Sequence, residues 1–376
     1  MSLQNVILSA TGLFTPPYSI SNDELVAAFN QNVAEYNHTH AEEIASGTTE
    51  AKPESSSEFI VKASGIKSRF VMDKSGVLDP KVMRPNLPAR DNESLSLQAE
   101  IGVAAAKDAL QRRGLQGADI DMIILACSNM QRAYPAVSVE IQAALGAGGF
   151  AFDMNVACSS ATFGLQTAYN AVACGSANRV LVINAEICSA HLNFCDRDSH
   201  FIFGDAATAT IIERADLIAD KHIGFNILGT SLFTQFSNNI RNNFGFLNRC
   251  DPEHQFGEDK LFVQNGRKVF KEVCPAVGEH IVKHLQKMNI PAEKIKRFWL
   301  HQANQTMNHL IAKRILGREA TLEEAPIILD RYANTSSAGS IIALHLYHDD
   351  LQTGDLGVVS SFGAGYSIGS VILEKR

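Results

Sequence analysis

Two stretches read alike and decide the fold: AAAKDALQRRGLQGADIDMIILACSN (104–129) and EHIVKHLQKMNIPAEKIKRFWLHQAN (279–304). Each opens with apolar residues at helical spacing, crosses a short polar link, and ends in a continuous apolar run of strand length. Leu110 aligns with Leu285, Leu115 with Ile290, Ile120 with Ile295, and Asn129 with Asn304. Working outward, FDMNVACSSA (152–161) aligns with LDRYANTSSA (329–338), and RVLVINA (179–185) with LGVVSSF (356–362). GDAATATIIE from Gly204 matches GYSIGSVILE from Gly365, and NVILSATGLFT from Asn5 matches FNILGTSLFT from Phe225. One such match is weak, because strand–helix proteins resemble one another. The same series twice in the same order is a duplication. Apolar strands alternating with helices predict an α/β chain whose mixed sheets are covered on both faces.

The duplication divides the chain into a first half, 1–215, and a second half, 216–376. The surplus of the first half lies at 31–57, 71–97 and 187–203; the second half carries the unusual stretch TQFSNNIRNNFGFLNR (234–249). The 31–57 stretch is rich in Asn, His, Glu, Ser and Thr and is expected at the surface. Long connections of this kind are usually lids, binding loops or partner contacts.

Composition narrows the function. Lys plus Arg number 33 against 40 Asp plus Glu, a net charge of −7, so nucleic acid and anionic lipid gain no bulk attraction. The first residues carry no basic region before an apolar core, and no stretch approaches the ~20 apolar residues of a membrane helix. The expectation is a cytoplasmic protein with no membrane contact, its seven cysteines reduced and unpaired by any Cys-x-x-Cys spacing. No metal site is expected: His280 and His284 lack further ligands and read, like His345 and His348, as solvated helix face. Gly363, Gly365 and Gly369 imitate a dinucleotide loop, but a strand follows where a helix is required.

Cys158 ends an apolar strand and precedes SSATFGLQTAYNAVACG, whose Ala161, Leu165, Ala168 and Val172 keep helical spacing. A thiol at the positive end of a helix is expected to have a lowered pKa. His301 follows the strand IKRFWL at the repeat position of Ala126, and Asn334 lies one position before the counterpart of Cys158. The duplication therefore places Cys158, His301 and Asn334 at equivalent strand ends, converging on one crevice. A thiolate can carry an acyl group as a thioester. A neutral imidazole and a carboxamide N–H can together stabilise an enolate oxygen. The turn FGAG (362–365) offers main-chain N–H groups to a second oxyanion.

VACSSA around Cys158, FGDAATA around Asp205, LHQAN at His301, YANTSSAGS at Asn334 and SSFGAGYSIGS resemble the type III β-ketoacyl-acyl carrier protein synthases. The resemblance runs from about residue 5 to the C-terminus. It implies the thiolase-like fold, a duplicated five-layered α-β-α-β-α arrangement with two mixed sheets related by pseudo-twofold symmetry. It implies decarboxylative Claisen condensation of an acyl-coenzyme A primer with malonyl-acyl carrier protein, in fatty acid biosynthesis. Cys158 would carry the acyl group, while His301 and Asn334 bind the malonyl thioester carbonyl. Phe362 would wall the departing carboxylate, and the amides of Cys158 and Ala364 would hold the tetrahedral oxyanion. Tyr134 would reach the acyl pocket of a second subunit, so a homodimer is implied. Coenzyme A and the carrier protein enter as thioester substrates, and no cofactor is implied.

The departures from the pattern also carry information. Phe59 stands where the family often has a Trp against the adenine, Ala63 where an Arg follows, and Thr306 where an Arg follows HQAN. Lys271, Lys313 and Arg314 remain for phosphate or carrier contacts. The insertions and these changes suggest medium-chain rather than acetyl primers. A histidine in place of Asn334 would mark the elongating synthases, and a second cysteine near the C-terminus the thiolases. The alternatives are a related condensation in secondary metabolism or between two acyl chains head to head, and a non-catalytic acyl- or carrier-binding partner.

Overall fold

The computed structural model describes residues 4–376. The first half contains β1 (Val6–Phe14), β2 (Tyr18–Ser21), α1 (Asn22–Thr39), α2 (Ala41–Ser46), α3 (Ser57–Ser64) and β3 (Ser68–Val71). It continues with α4 (Leu97–Arg113), β4 (Met122–Ala126), α5 (Val137–Leu145), β5 (Phe150–Met154), α6 (Ser160–Ala173), β6 (Arg179–Glu186) and β7 (Ala206–Arg214). The second half has β8 (Phe225–Ser237), β9 (Ile240–Arg241), β10 (Val263–Gln264), α7 (Gly266–Lys287), β11 (Ile295–Leu300) and α8 (Gln305–Leu316). It ends with α9 (Leu329–Tyr332), α10 (Ala338–Leu346), β12 (Leu356–Gly363) and β13 (Gly365–Lys375). No helix among the described residues is long and apolar enough to cross a membrane.

Local chemistry explains the boundaries. Ser96 opens α4 by accepting from the Ala99 N–H, and Gly114, at φ 71°, closes it in the left-handed conformation. Asp153 of β5 accepts from the N–H groups of Val137 and Ser138, capping α5 from a neighbouring strand.

Each half builds a mixed sheet, and the two meet edge to edge. The combined order is β11-β12-β13-β8-β1-β7-β6-β4-β5. The seam is narrow: β1 and β8 pair only at Ile7–Asn226 and Leu8–Phe225. About this seam β1 mirrors β8, β7 mirrors β13, β6 mirrors β12 and β4 mirrors β11.

The duplication is broken at one place. The counterpart of β5 is not a strand but the short helix α9, so Asn334 does not sit at a strand end. The reason is where its backbone groups go. Gln302 Oε1 accepts from the N–H groups of Ile328 and Leu329, and the Asp330 carbonyl accepts from the Lys67 N–H. These partners replace a strand ladder.

The layers follow from burial. Helix α4 packs on β1, β6 and β7, and α5 on β4 and β5; α7 covers β8, β12 and β13, with α8 against it. Helices α6 and α10 lie between the sheets, each touching strands of both halves. The face such a helix turns to the sheets must be apolar, as Ala161, Leu165, Ala168 and Val172 are on α6, whose Asn170 reaches solvent. In α10 every residue from Ala338 to His345 is buried, and Leu346 at its end is exposed. The central core joins Leu8, Ile124 and Val182 of one half to Ile341, Val359 and Val371 of the other. The 31–57 stretch begins as the last turns of α1, where Val33 is buried, and is otherwise largely exposed.

Close approach of α4 to β1 depends on Gly12. A Cβ there would lie 2.2 Å from the Ala105 carbonyl oxygen and 2.4 Å from the Ala109 nitrogen, both main-chain atoms. Gly12→Ala is expected to cost about 1–3 kcal/mol through overpacking, read as a lower urea midpoint with an unchanged denaturant slope.

Candidate active site

Cys158 sits on the turn between β5 and α6. Asn155 Oδ1 accepts from the Ala157 N–H at 2.9 Å, and Ser160 Oγ accepts from the Val156 N–H at 2.8 Å. Ala157 adopts φ 46°, a left-handed conformation that a non-glycine residue holds only under constraint. The residue is half-buried, but its sulfur is tightly surrounded: a Cβ on Gly363 would lie 3.0 Å from Sγ. Ser336 Oγ lies 3.4 Å from the sulfur.

The expected lowering of the thiol pKa is corrected by this environment. Burial pushes Cys158 up to about 11, with the nearby Glu186 carboxylate acting in the same direction. The Ser336 hydroxyl and the main-chain N–H groups of Cys158 and Ala364 pull the other way without prevailing. The resting group is a thiol.

His301 follows β11, and its main-chain N–H is fixed by the Ser360 carbonyl at 2.8 Å. Its ring stands edge-on to Phe362, with centroids 5.2 Å apart. Burial pushes its pKa down to about 4, against a weaker opposing effect of the Ser336 main chain. The imidazole is therefore neutral at physiological pH, and Nδ1 has no hydrogen-bond partner.

Asn334 is held at both backbone groups: its N–H donates to Ile202 O at 3.0 Å and its carbonyl accepts from the Gly204 N–H at 3.1 Å. Its side-chain Oδ1 accepts from the Ser336 N–H at 2.8 Å. An N–H can only donate, so the oxygen end of the amide is committed and the NH2 end is left for a ligand.

These residues share one cavity of about 470 Å³, walled by Cys158, His301, Asn334, Phe362 and Gly363 and flanked by Phe201, Phe203, Ile240, Phe262 and Phe270. It is thus a largely apolar chamber in which a thiol meets two neutral hydrogen-bond donors.

The other residues singled out from sequence are placed less centrally. Phe59 packs edge-on to Phe201 at 5.8 Å, and the Arg197 guanidinium lies 4.1 Å over its ring. Tyr134 is 86% exposed and forms no part of the cavity wall. Lys271 is exposed on α7, Lys313 is paired with Glu319 at 2.5 Å, and the Arg314 stem packs against Gly278. None of these three lines the cavity, whereas Arg267, in the first turn of α7, does. Arg267 also joins Lys52 and Arg197 around an adjoining chamber of about 590 Å³. Its sequence signal is a basic pair directly after the Asn265–Gly266 helix start. Glu186, whose carboxyl acts on Cys158, is marked in the sequence only as an acid closing an apolar strand.

The histidines read as solvated helix face are mostly structural. His284 is buried and hydrogen-bonds Ser370 Oγ at 2.8 Å, His280 meets the Ser231 carbonyl at 3.1 Å, and buried His345 meets Thr11 Oγ1 at 2.9 Å. Each ties a helix to a strand. Among the described residues no cluster of His, Cys, Asp and Glu is placed to hold a metal ion.

A duplicated five-layered α/β fold with this thiol, imidazole and carboxamide in one apolar chamber defines a condensing acyltransferase of the thiolase-like class. Comparison makes the assignment specific. The family described as 3-oxoacyl-[acyl-carrier-protein (ACP)] synthase III matches residues 152–235, and its C-terminal part matches 285–375. A beta-ketodecanoyl-[acyl-carrier-protein] synthase of Pseudomonas aeruginosa is 64% identical over 349 residues, covering 93% of this chain and 99% of that protein. A beta-ketoacyl-[acyl-carrier-protein] synthase III of Brucella anthropi is 32% identical, covering 85% of this chain and 91% of that one. The crystal structure of 3-oxoacyl-[acyl-carrier-protein] synthase III from Aquifex aeolicus superposes with a TM-score of 0.75 at 26% identity, covering 98% of this chain and 99% of that one. The chain belongs to the β-ketoacyl-acyl carrier protein synthase III family and is an acyltransferase of fatty acid biosynthesis.

The high thiol pKa has a measurable consequence. The reactive thiolate fraction rises tenfold per pH unit below the pKa. Iodoacetamide labelling of the Cys158 peptide, followed by mass spectrometry, is expected to accelerate steadily between about pH 6 and 9 without a plateau. A plateau near neutrality would mean that the helix terminus outweighs burial.

Proposed function

We propose that this enzyme condenses an eight-carbon acyl primer, delivered by coenzyme A, with malonyl-acyl carrier protein to give β-ketodecanoyl-acyl carrier protein. The carbon count follows from the chemistry. Malonyl loses one carbon as carbon dioxide and contributes two, so a ten-carbon product such as the one naming the Pseudomonas relative needs an eight-carbon primer. The apolar cavity walls favour an alkyl chain over a short acetyl group.

The Cys158 thiol attacks the primer thioester; the acyl–coenzyme A bond breaks, and coenzyme A leaves with the thiol proton. Malonyl-carrier then occupies the same chamber. The N–H donors of His301 and Asn334 hold its thioester carbonyl as carbon dioxide departs past Phe362, and the charge passes to the oxygen of an enolate. The enolate carbon attacks the acyl-Cys158 carbonyl, whose oxyanion is met by the amides of Cys158 and Ala364. The carbon–sulfur bond breaks, Cys158 leaves as thiolate, and it regains a proton from solvent.

The carrying observation is the Asn334 amide, whose oxygen end is committed to the Ser336 N–H. It can serve only as a donor, which suits a developing enolate oxygen and not proton abstraction.

On this reading residues 1–215 and 216–376 are the duplicated halves. The functional unit is a cytoplasmic homodimer in which Tyr134 reaches the acyl pocket of the other subunit. Phe59, Lys271, Lys313 and Arg314 contact coenzyme A or the carrier from the rim. No cofactor takes part.

With primers from two carbons upward, turnover on octanoyl-coenzyme A is expected to exceed that on acetyl-coenzyme A by about tenfold or more. Preference for acetyl would overturn the primer assignment. His301→Ala and Asn334→Ala should still be acylated at Cys158, seen by intact mass, while decarboxylation of malonyl-carrier falls by about 10²–10³-fold. Full decarboxylation by either variant would remove its role.

A further inference from the structure

We propose that Glu186 is a positioning residue for this reaction, one buried carboxylate that holds the Cys158 turn and the Asn334 turn in fixed relation. The inference rests on the roles proposed above for Cys158 and Asn334.

Glu186 ends β6 and is 2% exposed. Its partners are hydroxyls, main-chain amides and the Cys188 thiol, whose sulfur lies 3.9 Å from Oε2, rather than a cation. Oε1 accepts from the Ser128 N–H at 2.9 Å, from the Ser337 N–H at 3.3 Å and from the Ser337 hydroxyl; Oε2 accepts from Ser128 Oγ at 2.6 Å.

Two arms lead from it to the site. Through the first, the Ser128 carbonyl accepts from Asn155 Nδ2 at 2.9 Å, and Asn155 Oδ1 accepts from the N–H of Ala157, the left-handed residue before the nucleophile. Through the second, Ser337 is bonded directly to Ser336. Ser336 both donates its N–H to Asn334 Oδ1 and places its hydroxyl 3.4 Å from the Cys158 sulfur. Ser336 itself sits at φ 49°, a strained conformation that needs outside support.

The duplication shows that this link is particular to one half. Ser160, the repeat mate of Ser337, bonds only within its own half, to the Val156 N–H and to carbonyls of Ala157 and Cys127. In strand register Glu186 lies opposite Ala206 and Gly363 opposite Ser367; these partners follow the aligned Gly204 and Gly365 at the same spacing. Glu186 therefore stands at the repeat position of Gly363, the residue whose missing Cβ makes room for the thiol. Where the second half leaves space for the nucleophile, the first half supplies a carboxylate that crosses to the donor turn.

The test is Glu186→Gln in the full-length enzyme. The substitution keeps the size but puts an NH2, which cannot accept, against donors of Ser128 or Ser337. Malonyl-carrier decarboxylation is expected to fall about 10- to 100-fold in kcat at an unchanged KM for the carrier, while octanoyl-coenzyme A still acylates Cys158. Iodoacetamide labelling of Cys158 at a fixed pH should change in rate, because the Ser128–Asn155–Ala157 arm no longer holds the turn that aims the thiol. A purely structural role would instead lower the thermal midpoint and leave the labelling rate unmoved. That pattern, or full decarboxylation, would overturn the proposal. Should the glutamine variant fail to fold, Ser337→Ala removes the hydroxyl bond of the second arm and leaves only the long N–H contact; undiminished decarboxylation there also overturns it. Failure of the unmodified enzyme to decarboxylate malonyl-carrier would count against the proposed reaction and not against Glu186, and the two are separated by that control.

Discussion

The structure depends on burying two helices, α6 and α10, between two sheets. The buried faces of these helices can carry little unpaired polarity, and the polar residues of α10, Ser340 and His345, are buried and hydrogen-bonded. The reacting groups sit at the helix ends, where N–H groups are unspent. Cys158 precedes α6, and Asn334, Ser336 and Ser337 precede α10. The reacting groups thus gather where the two central helices begin and their first N–H groups are free.

That placement also sets the electrostatics. A thiol pushed up to about 11 and an imidazole pushed down to about 4 are both uncharged in the working range. Cys158, His301 and Asn334 therefore present directed dipoles rather than ions, in a chamber wall to which Arg267 brings charge. This suits a reaction in which charge appears only briefly on an enolate and then on a tetrahedral oxygen. Near the cavity the Glu186 carboxyl is held by Ser128 and Ser337, while burial pushes its pKa up.

The layers and the reacting residues were legible because duplication is a long-range signal. Leu110 and Leu285, or Asp153 and Asp330, locate equivalent positions without any knowledge of contacts. What escaped was set by partners distant in sequence. The strand expected at 329–332 became α9 because Gln302 and Lys67 satisfy its backbone. His284 looked solvated because nothing in its own helix shows Ser370 on the facing strand. The thiol pKa was misjudged because the helix terminus is local and visible, whereas enclosure by Gly363 and its neighbours is not.

The narrow seam bears on how the chain is made. Strand β1, near the start of the chain, finds one neighbour in β7 and its other only in β8, and α6 rests partly on β8, β12 and β13. During synthesis the first half emerges with one face of α6 bare, an apolar surface that stays open until the final strand is released. The ribosome thus holds an aggregation-prone intermediate for the time needed to translate the second half. Chaperone demand during expression follows from the same burial that places the reacting groups at the ends of α6 and α10.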